Sequence, residues 1–163
     1  MALEPNKQIL IVDDNIDLAD SIAEFLQMHG MICDVAYDAE QAKQRLSKRV
    51  SDLLLLDLDL PKKSGILLIQ ELQKELPDLP IIVATARVIE DVPPSPNVKF
   101  ILPKPINADA LINTLRVIFP EMQPKAVNLD TIQYPIVHRS VLKDVRLLRL
   151  FIRYILKHAV SSF

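Results

Sequence analysis

The chain has 163 residues, half of them apolar, with 19 Lys and Arg against 21 Asp and Glu, which suits one ordinary domain with its own core plus an appendage. A single cysteine, Cys33, excludes a disulfide framework and a thiolate metal site, and is expected as a buried, reduced core residue. No charged-then-apolar leader opens the sequence and no apolar run approaches the roughly 20 residues of a membrane span, so a cytoplasmic location is expected.

Residues 8–12 read as a first strand, and Asp13, Asp14 and Asn15 are each able to cap the helix that starts near Ile16. In that helix Ile16, Ala19, Ile22, Ala23 and Leu26 recur at helical spacing, and Gly30 stops it. Residues 31–36 give a second strand, 40–49 a helix with Ala42, Leu46 and Val50 facing inward, and 53–56 a third strand. Residues 65–76 give the next helix, through Ile66, Leu67, Ile69, Leu72 and Leu76, with Pro77 and Pro80 bracketing its end. Residues 81–84 form a fourth strand. After Thr85 there is room for only a short helix, because Pro93, Pro94 and Pro96 would each break one. Residues 98–102 form the fifth strand, Lys104-Pro105 a turn, and Asn107 caps a helix through Ala110, Leu111, Leu115, Ile118 and Phe119. Five strands alternating with helices over residues 1–119 imply an α/β domain with a parallel, doubly wound sheet.

The polar groups sit at telling places. Four consecutive Leu at 53–56 fit a strand covered on both faces, and that strand delivers Asp57 at its C-terminal end, where chemistry sits in open α/β sheets. Pro61 cannot continue a central ladder and Gly65 tolerates a tight entry into the next helix, so residues 58–64 form a loop over that carboxylate. An Asp ending one strand often only caps a turn. Here Asp13 and Asp14, Thr85 and Lys104 also each end an apolar run, and right-handed crossovers bring all these strand ends to one edge.

In that order, Asp13-Asp14, Asp57 with Pro61 and Gly65, Thr85-Ala86 and Lys104-Pro105 resemble a response-regulator receiver domain of two-component signalling, with its flavodoxin-like five-stranded sheet, over residues 7–119. The resemblance implies a phosphorylation-dependent switch that takes a phosphoryl group from a histidine kinase or phosphotransfer protein onto Asp57. Its chemistry is confined to its own phosphorylation and dephosphorylation. It implies magnesium held by Asp14 and Asp57 directly, by Asp13 through water and by the backbone carbonyl of Asp59. A hard ion with oxygen ligands suits carboxylates that like-charge repulsion otherwise keeps apart. Lys104 then contacts the phosphoryl group as a point charge, and the Thr85 hydroxyl turns toward it after transfer. Ile101 stands where the family often has an aromatic, with Phe100 one place off, and the Pro-rich run shortens what is usually part of the output face. Asp59 and Arg87, two positions after Asp57 and Thr85, lie on loops over the active edge and are expected to pair there and tune the phosphoryl lifetime.

Residues 120–137, with Pro120, Pro124 and Pro135, read as a linker with one short strand near 131–134. Residues 138–163 read as a helical tail. Leu142, Val145, Leu148, Ile152 and Ile155 form its apolar stripe, and Lys143, Arg146, Arg149, Arg153 and Lys157 lie largely off it. Residues 1–119 carry 12 Lys and Arg against 18 Asp and Glu, whereas residues 120–163 carry 7 against 3. Packing on the domain or pairing with a second chain as a homodimer is the first expectation for this helix, and contact with an anionic membrane surface or nucleic acid the second. About 25 residues cannot supply the three helices of a helix-turn-helix, so direct DNA binding is disfavoured.

Two rival readings also fit parts of the sequence. Asp57-Leu58-Asp59 also resembles the nucleophile motif of haloacid-dehalogenase-type phosphatases, but there the acidic pair follows the nucleophile, whereas Asp13-Asp14 precedes it. The other is a protein-interaction module that keeps the receiver fold without regulation by phosphate.

Overall fold

The computed structural model describes residues 7–87, 92–122 and 136–137. The chain runs β1 (Gln8–Val12), α1 (Ile16–Met28), β2 (Ile32–Ala36), α2 (Ala39–Lys48), β3 (Leu53–Leu56), α3 (Gly65–Glu75), β4 (Ile81–Thr85), β5 (Val98–Pro103), α4 (Ala108–Ile118) and β6 (Ile136–Val137). The sheet order is β2-β1-β3-β4-β5-β6, and the first five strands are parallel. β1 and β3 therefore lie side by side at its centre, and the C-terminal ends that carry Asp13 and Asp57 are neighbours.

Alternation along the strands builds two cores. Ile9, Ile11, Leu53, Leu55, Ile82 and Phe100 face α1 and α4, while Leu10, Val12, Leu54, Leu56, Ile81 and Val83 face α2 and α3. All four leucines of β3 are buried, each contributing about 1.5–3 kcal/mol relative to exposure. An apolar run without alternation is what a strand roofed on both sides requires.

Each helix starts on a side-chain cap: Asn15, Asp38, Ser64 and Asn107 accept from the backbone N–H of Leu18, Gln41, Ile66 and Ala110. α1 ends as expected at Gly30, whose φ of +84° permits the Gly30 N–H to bond Gln27 O and the Met31 N–H to bond Leu26 O. That pair of bonds is the Schellman closure.

Several expectations need correction. Val50 lies beyond the end of α2 and is 58% exposed, because the helix stops at Lys48 and the chain turns outward before β3. Ile16 and Leu67 are also exposed, on the outer sides of α1 and α3. Cys33 is only partly buried, since β2 is the sheet's edge; burial and the neighbouring Asp34 charge push its thiol up to about 11. A sixth strand, β6, adds antiparallel to β5 at 136–137, later than the strand expected near 131–134. Residues 86–87 and 92–97 of the β4–β5 connection carry no helix, and residues 88–91 lie outside the described residues. The expected tail helix over 138–163 lies outside them as well. Among the described residues no helix is long and apolar enough to cross a membrane.

Candidate functional site

Asn15, not the acidic pair, caps α1, which leaves both carboxylates of that pair available at the end of β1. Three consecutive residues could have capped, and only the one three places before Leu18 does so; the sequence held that signal without resolving it. Asp13 is buried and Asp14 exposed. Asp57, 5% exposed, follows β3 and is anchored by its own N–H to Val12 O at 2.8 Å. One carboxylate oxygen from each of Asp13, Asp14 and Asp57 lies within 4.8 Å of the others.

Lys104, just after β5, reaches across the edge. Its Nζ donates to Asp13 Oδ2 at 2.7 Å and to Asp57 Oδ2 at 2.6 Å. Its backbone N–H is held by Thr85 O at 3.0 Å, so the end of β4 sets where the ammonium can go. Burial pushes the ammonium down, but the hydrogen bonds to Asp13 and Asp57 outweigh it and hold it above the ordinary lysine value. The second oxygens are used too: Asp13 Oδ1 accepts from Asn15 N at 2.9 Å, and Asp57 Oδ1 from Asp59 N at 3.0 Å.

Thr85 is 1% exposed, and its Oγ1 accepts from Arg87 N at 3.1 Å. Arg87 in turn donates Nε to Asp59 Oδ1 at 2.6 Å, with a second guanidinium contact to the same oxygen. The two loops over the edge, one after β3 and one after β4, are thereby clasped by an ion pair of which both members are part-exposed. All seven residues singled out in the sequence, Asp13, Asp14, Asp57, Asp59, Thr85, Arg87 and Lys104, thus stand at one rim of the sheet. Ile101 and Phe100 are both buried, Phe100 among the side chains of the α1 and α4 face and Ile101 on the other.

The donor set is oxygen throughout, with three carboxylates and a single ammonium beside them. Such a set leaves negative charge that a hard, oxygen-preferring cation satisfies, and it offers no soft ligand for a thiophilic metal. A Lys104→Met substitution is expected to destabilise the fold by roughly 1–3 kcal/mol by leaving buried carboxylates without their cation. Because the folded-state Lys104 is raised, its stabilisation is complete below the unfolded lysine pKa, about 10.4. It is lost as pH rises through the higher folded value. The gap between wild type and Lys104→Met in urea unfolding should stay flat through neutral pH and narrow only in strongly alkaline buffer.

An open, parallel sheet with an acidic cluster, a bridging lysine and a buried threonine at its C-terminal edge defines a phosphoryl-handling switch domain. The sequence matches the response regulator receiver domain family over residues 9–116, and the chain belongs to that family. Receiver domains are the signalling switches of two-component systems. Among relatives, the transcriptional regulatory protein CpxR of Klebsiella pneumoniae subsp. pneumoniae is 40% identical over 114 residues, covering 68% of this chain and 48% of the relative. The phosphate regulon transcriptional regulatory protein PhoB of Pseudomonas aeruginosa is 42% identical over 87 residues, or 52% of this chain and 38% of that one. The chain thus spans about half the length, or less, of these relatives. A solved CheY-like receiver domain from Methylobacillus flagellatus superposes with a TM-score of 0.61 at 28% identity, covering 69% of this chain and 98% of its own. One from Methanospirillum hungatei JF-1, at 24% identity and a TM-score of 0.63 over 72% of this chain and 96% of its own, shares the fold.

Proposed function

We propose that this chain is a cytoplasmic phosphorelay switch that accepts a phosphoryl group on Asp57 from a histidine kinase or a phosphotransfer protein and changes its hold on a downstream partner. The observation that carries this reading is Lys104 Nζ spanning Asp13 and Asp57 beside Asp14. The Asp57 carboxylate oxygen attacks phosphorus, an O–P bond forms, and the bond to the donor's leaving group breaks with its electron pair going to that group. Lys104 loses one carboxylate contact and gains a phosphoryl oxygen, a charge-assisted hydrogen bond that favours the product. The Thr85 Oγ1, which accepts from Arg87 N before transfer, keeps its own proton to donate to a phosphoryl oxygen afterwards.

Asp14 and Asp57 directly, Asp13 through water and the Asp59 backbone carbonyl are the groups that would hold magnesium. When bound, the ion supplies positive charge against which three carboxylates and the phosphoryl oxygens can crowd. The protein's chemistry on this reading is confined to its own phosphorylation and dephosphorylation. Relatives named as transcriptional regulators align with this chain over about half their length or less, so direct DNA contact by residues 7–122 is not part of the proposal.

The test is incubation of the full chain with magnesium and acetyl phosphate, followed by intact mass and by treatment with hydroxylamine, which cleaves acyl phosphates. A single, hydroxylamine-labile phosphate adduct is expected. Turnover of phosphate esters without an adduct would instead point to the phosphatase reading, and no reaction at all to a phosphate-independent interaction module.

The Asp59–Arg87 pair tunes the lifetime of the adduct by screening it from attacking water. An exposed pair is worth up to about 1 kcal/mol, so Arg87→Ala should speed loss of the phosphoryl group by up to about fivefold. An unchanged dephosphorylation rate would remove this role.

A further inference from the structure

The loop over Asp57 bends where a backbone resists bending. Around Lys62, whose φ is +64°, the Lys63 N–H donates to Pro61 O at 2.7 Å. That three-residue γ-turn with a positive φ at its centre is the rare and strained form, and a lysine there lacks the freedom with which glycine enters the left-handed region. A bend of this kind persists only where its surroundings over-determine it. Whatever holds it also sets the site, because this loop carries the Asp59 backbone carbonyl, and the Asp59 N–H donates to Asp57 Oδ1 at 3.0 Å.

Fastenings stand on both sides of the bend. Leu58 and Leu60 are buried among the side chains of the α2 and α3 face, Asp59 is paired with Arg87, and Gly65 N bonds Leu58 O. Next to the strained residue itself stands Lys63, whose Nζ donates to Glu71 Oε1 at 2.5 Å, in the second turn of α3. Glu71 is tied down in turn. Its other oxygen, Oε2, accepts from Lys43 Nζ of α2 at 3.0 Å, and Lys43 also donates to Glu75 Oε1 at 3.0 Å. Hydrogen bonds from Lys63 and Lys43 hold the Glu71 carboxyl below the ordinary glutamate value, so it stays an anion between two lysines at neutral pH. An isolated part-exposed pair does little, but several charges joined in a network fix geometry better. The carboxylate thus ties the loop to two helices.

We propose that Glu71 is a positioning residue of the phosphoryl site: through Lys63 it holds the bend at Lys62, and so fixes where the Asp59 backbone carbonyl stands and how tightly the site takes magnesium. The inference rests on the proposed reading of this rim as a magnesium-dependent phosphoryl acceptor. Glu71 acts through another residue, since both of its oxygens are engaged by lysines. The loop is pinned at Gly65 by Leu58 O and at Asp57, whose N–H bonds Val12 O, so a bend released at Lys62 relaxes into residues 59–61 between these points. An ion that demands a near-ideal octahedron tolerates little drift in a ligand, and the loss appears in its affinity.

The test is calorimetric titration of the full chain with magnesium. Lys63→Gln is expected to raise the dissociation constant by about three- to fivefold, up to what one ion pair of this exposure supplies. The sign is diagnostic, because removing a cation beside an acidic site would by charge alone tighten magnesium binding. Glu71→Gln should weaken binding likewise, whereas Glu75→Gln, which deletes the same charge from the same network but leaves Lys63 bonded to Glu71, should weaken it less. Lys63→Arg, which keeps a cation within reach of Glu71, should bind as the native chain does. Circular dichroism should be unaltered in all four variants, which separates these shifts from loss of fold, and adduct formation by Lys63→Gln with acetyl phosphate should return to the native rate at saturating magnesium. Unchanged or tighter magnesium binding by Lys63→Gln, or equal weakening by Glu71→Gln and Glu75→Gln, would overturn the proposal while leaving the acceptor reading intact. A native chain that binds no magnesium and forms no adduct would overturn both.

Discussion

Asp57→Asn is expected to reduce the phosphate adduct formed with magnesium and acetyl phosphate to background, while changing stability without metal by no more than about 1 kcal/mol. The amide keeps the shape of the carboxylate, but its one carbonyl oxygen can accept from either Asp59 N or Lys104, so it keeps one of the two hydrogen bonds that the Asp57 side chain makes in the fold. What it lacks is a nucleophilic oxygen anion, because the amide lone pair is delocalised. The same substitution removes one of three carboxylates that lie within 4.8 Å of one another, so it relieves like-charge repulsion as it removes an ion pair, and the two effects oppose. Magnesium separates them. Ion at ten times its dissociation constant stabilises the wild type by about 1.4 kcal/mol, and this increment, read as a rise in Tm, should shrink in the variant. A variant that still took up one hydroxylamine-labile phosphate would move the acceptor to another residue.

The rim was legible in the sequence because a parallel sheet obeys two simple rules. Its strands are apolar on both faces, and its connections cross in one hand, so a polar residue ending an apolar run must stand at the common edge. Asp13, Asp57, Thr85 and Lys104 each satisfied that test, and their hydrogen bonds join them in the fold. Where sequence reasoning slipped, the physical cause is exposure at boundaries. Val50 and Leu67 are apolar, and periodicity alone assigned them inward; Val50 lies past the last turn of α2 and Leu67 lies on the outer side of α3. Cys33 sits on the edge strand, which no single-strand pattern can distinguish from a central one.

The loop over Asp57 shows the same limit at atomic scale, and the largest loss of stability is expected there, from Gly65→Ala. From the sequence, Gly65 is expected for its backbone freedom. In the structure the residue of this loop with positive φ is Lys62, at 64°, and the reason for Gly65 is space. A Cβ at position 65 would stand 2.4 Å from the Asp57 carbonyl oxygen and 2.8 Å from the Leu58 Cα. Both are backbone atoms that no rotamer change can move. The Gly65 N–H is bonded to Leu58 O at 3.0 Å, so the first turn of α3 is pinned to the strand end it would have to leave. Relief requires α3 and the end of β3 to separate, at a cost of about 3 kcal/mol or more. Since Asp57 rides on the displaced peptide, phosphoryl uptake should fall by about a hundredfold for a shift near 1 Å, even in the fraction that stays folded. Urea unfolding and adduct formation measured on the same sample check the two effects. Gly65→Ala with wild-type stability would mean that α3 yields freely, and the steric reason given for Gly65 would have to be abandoned.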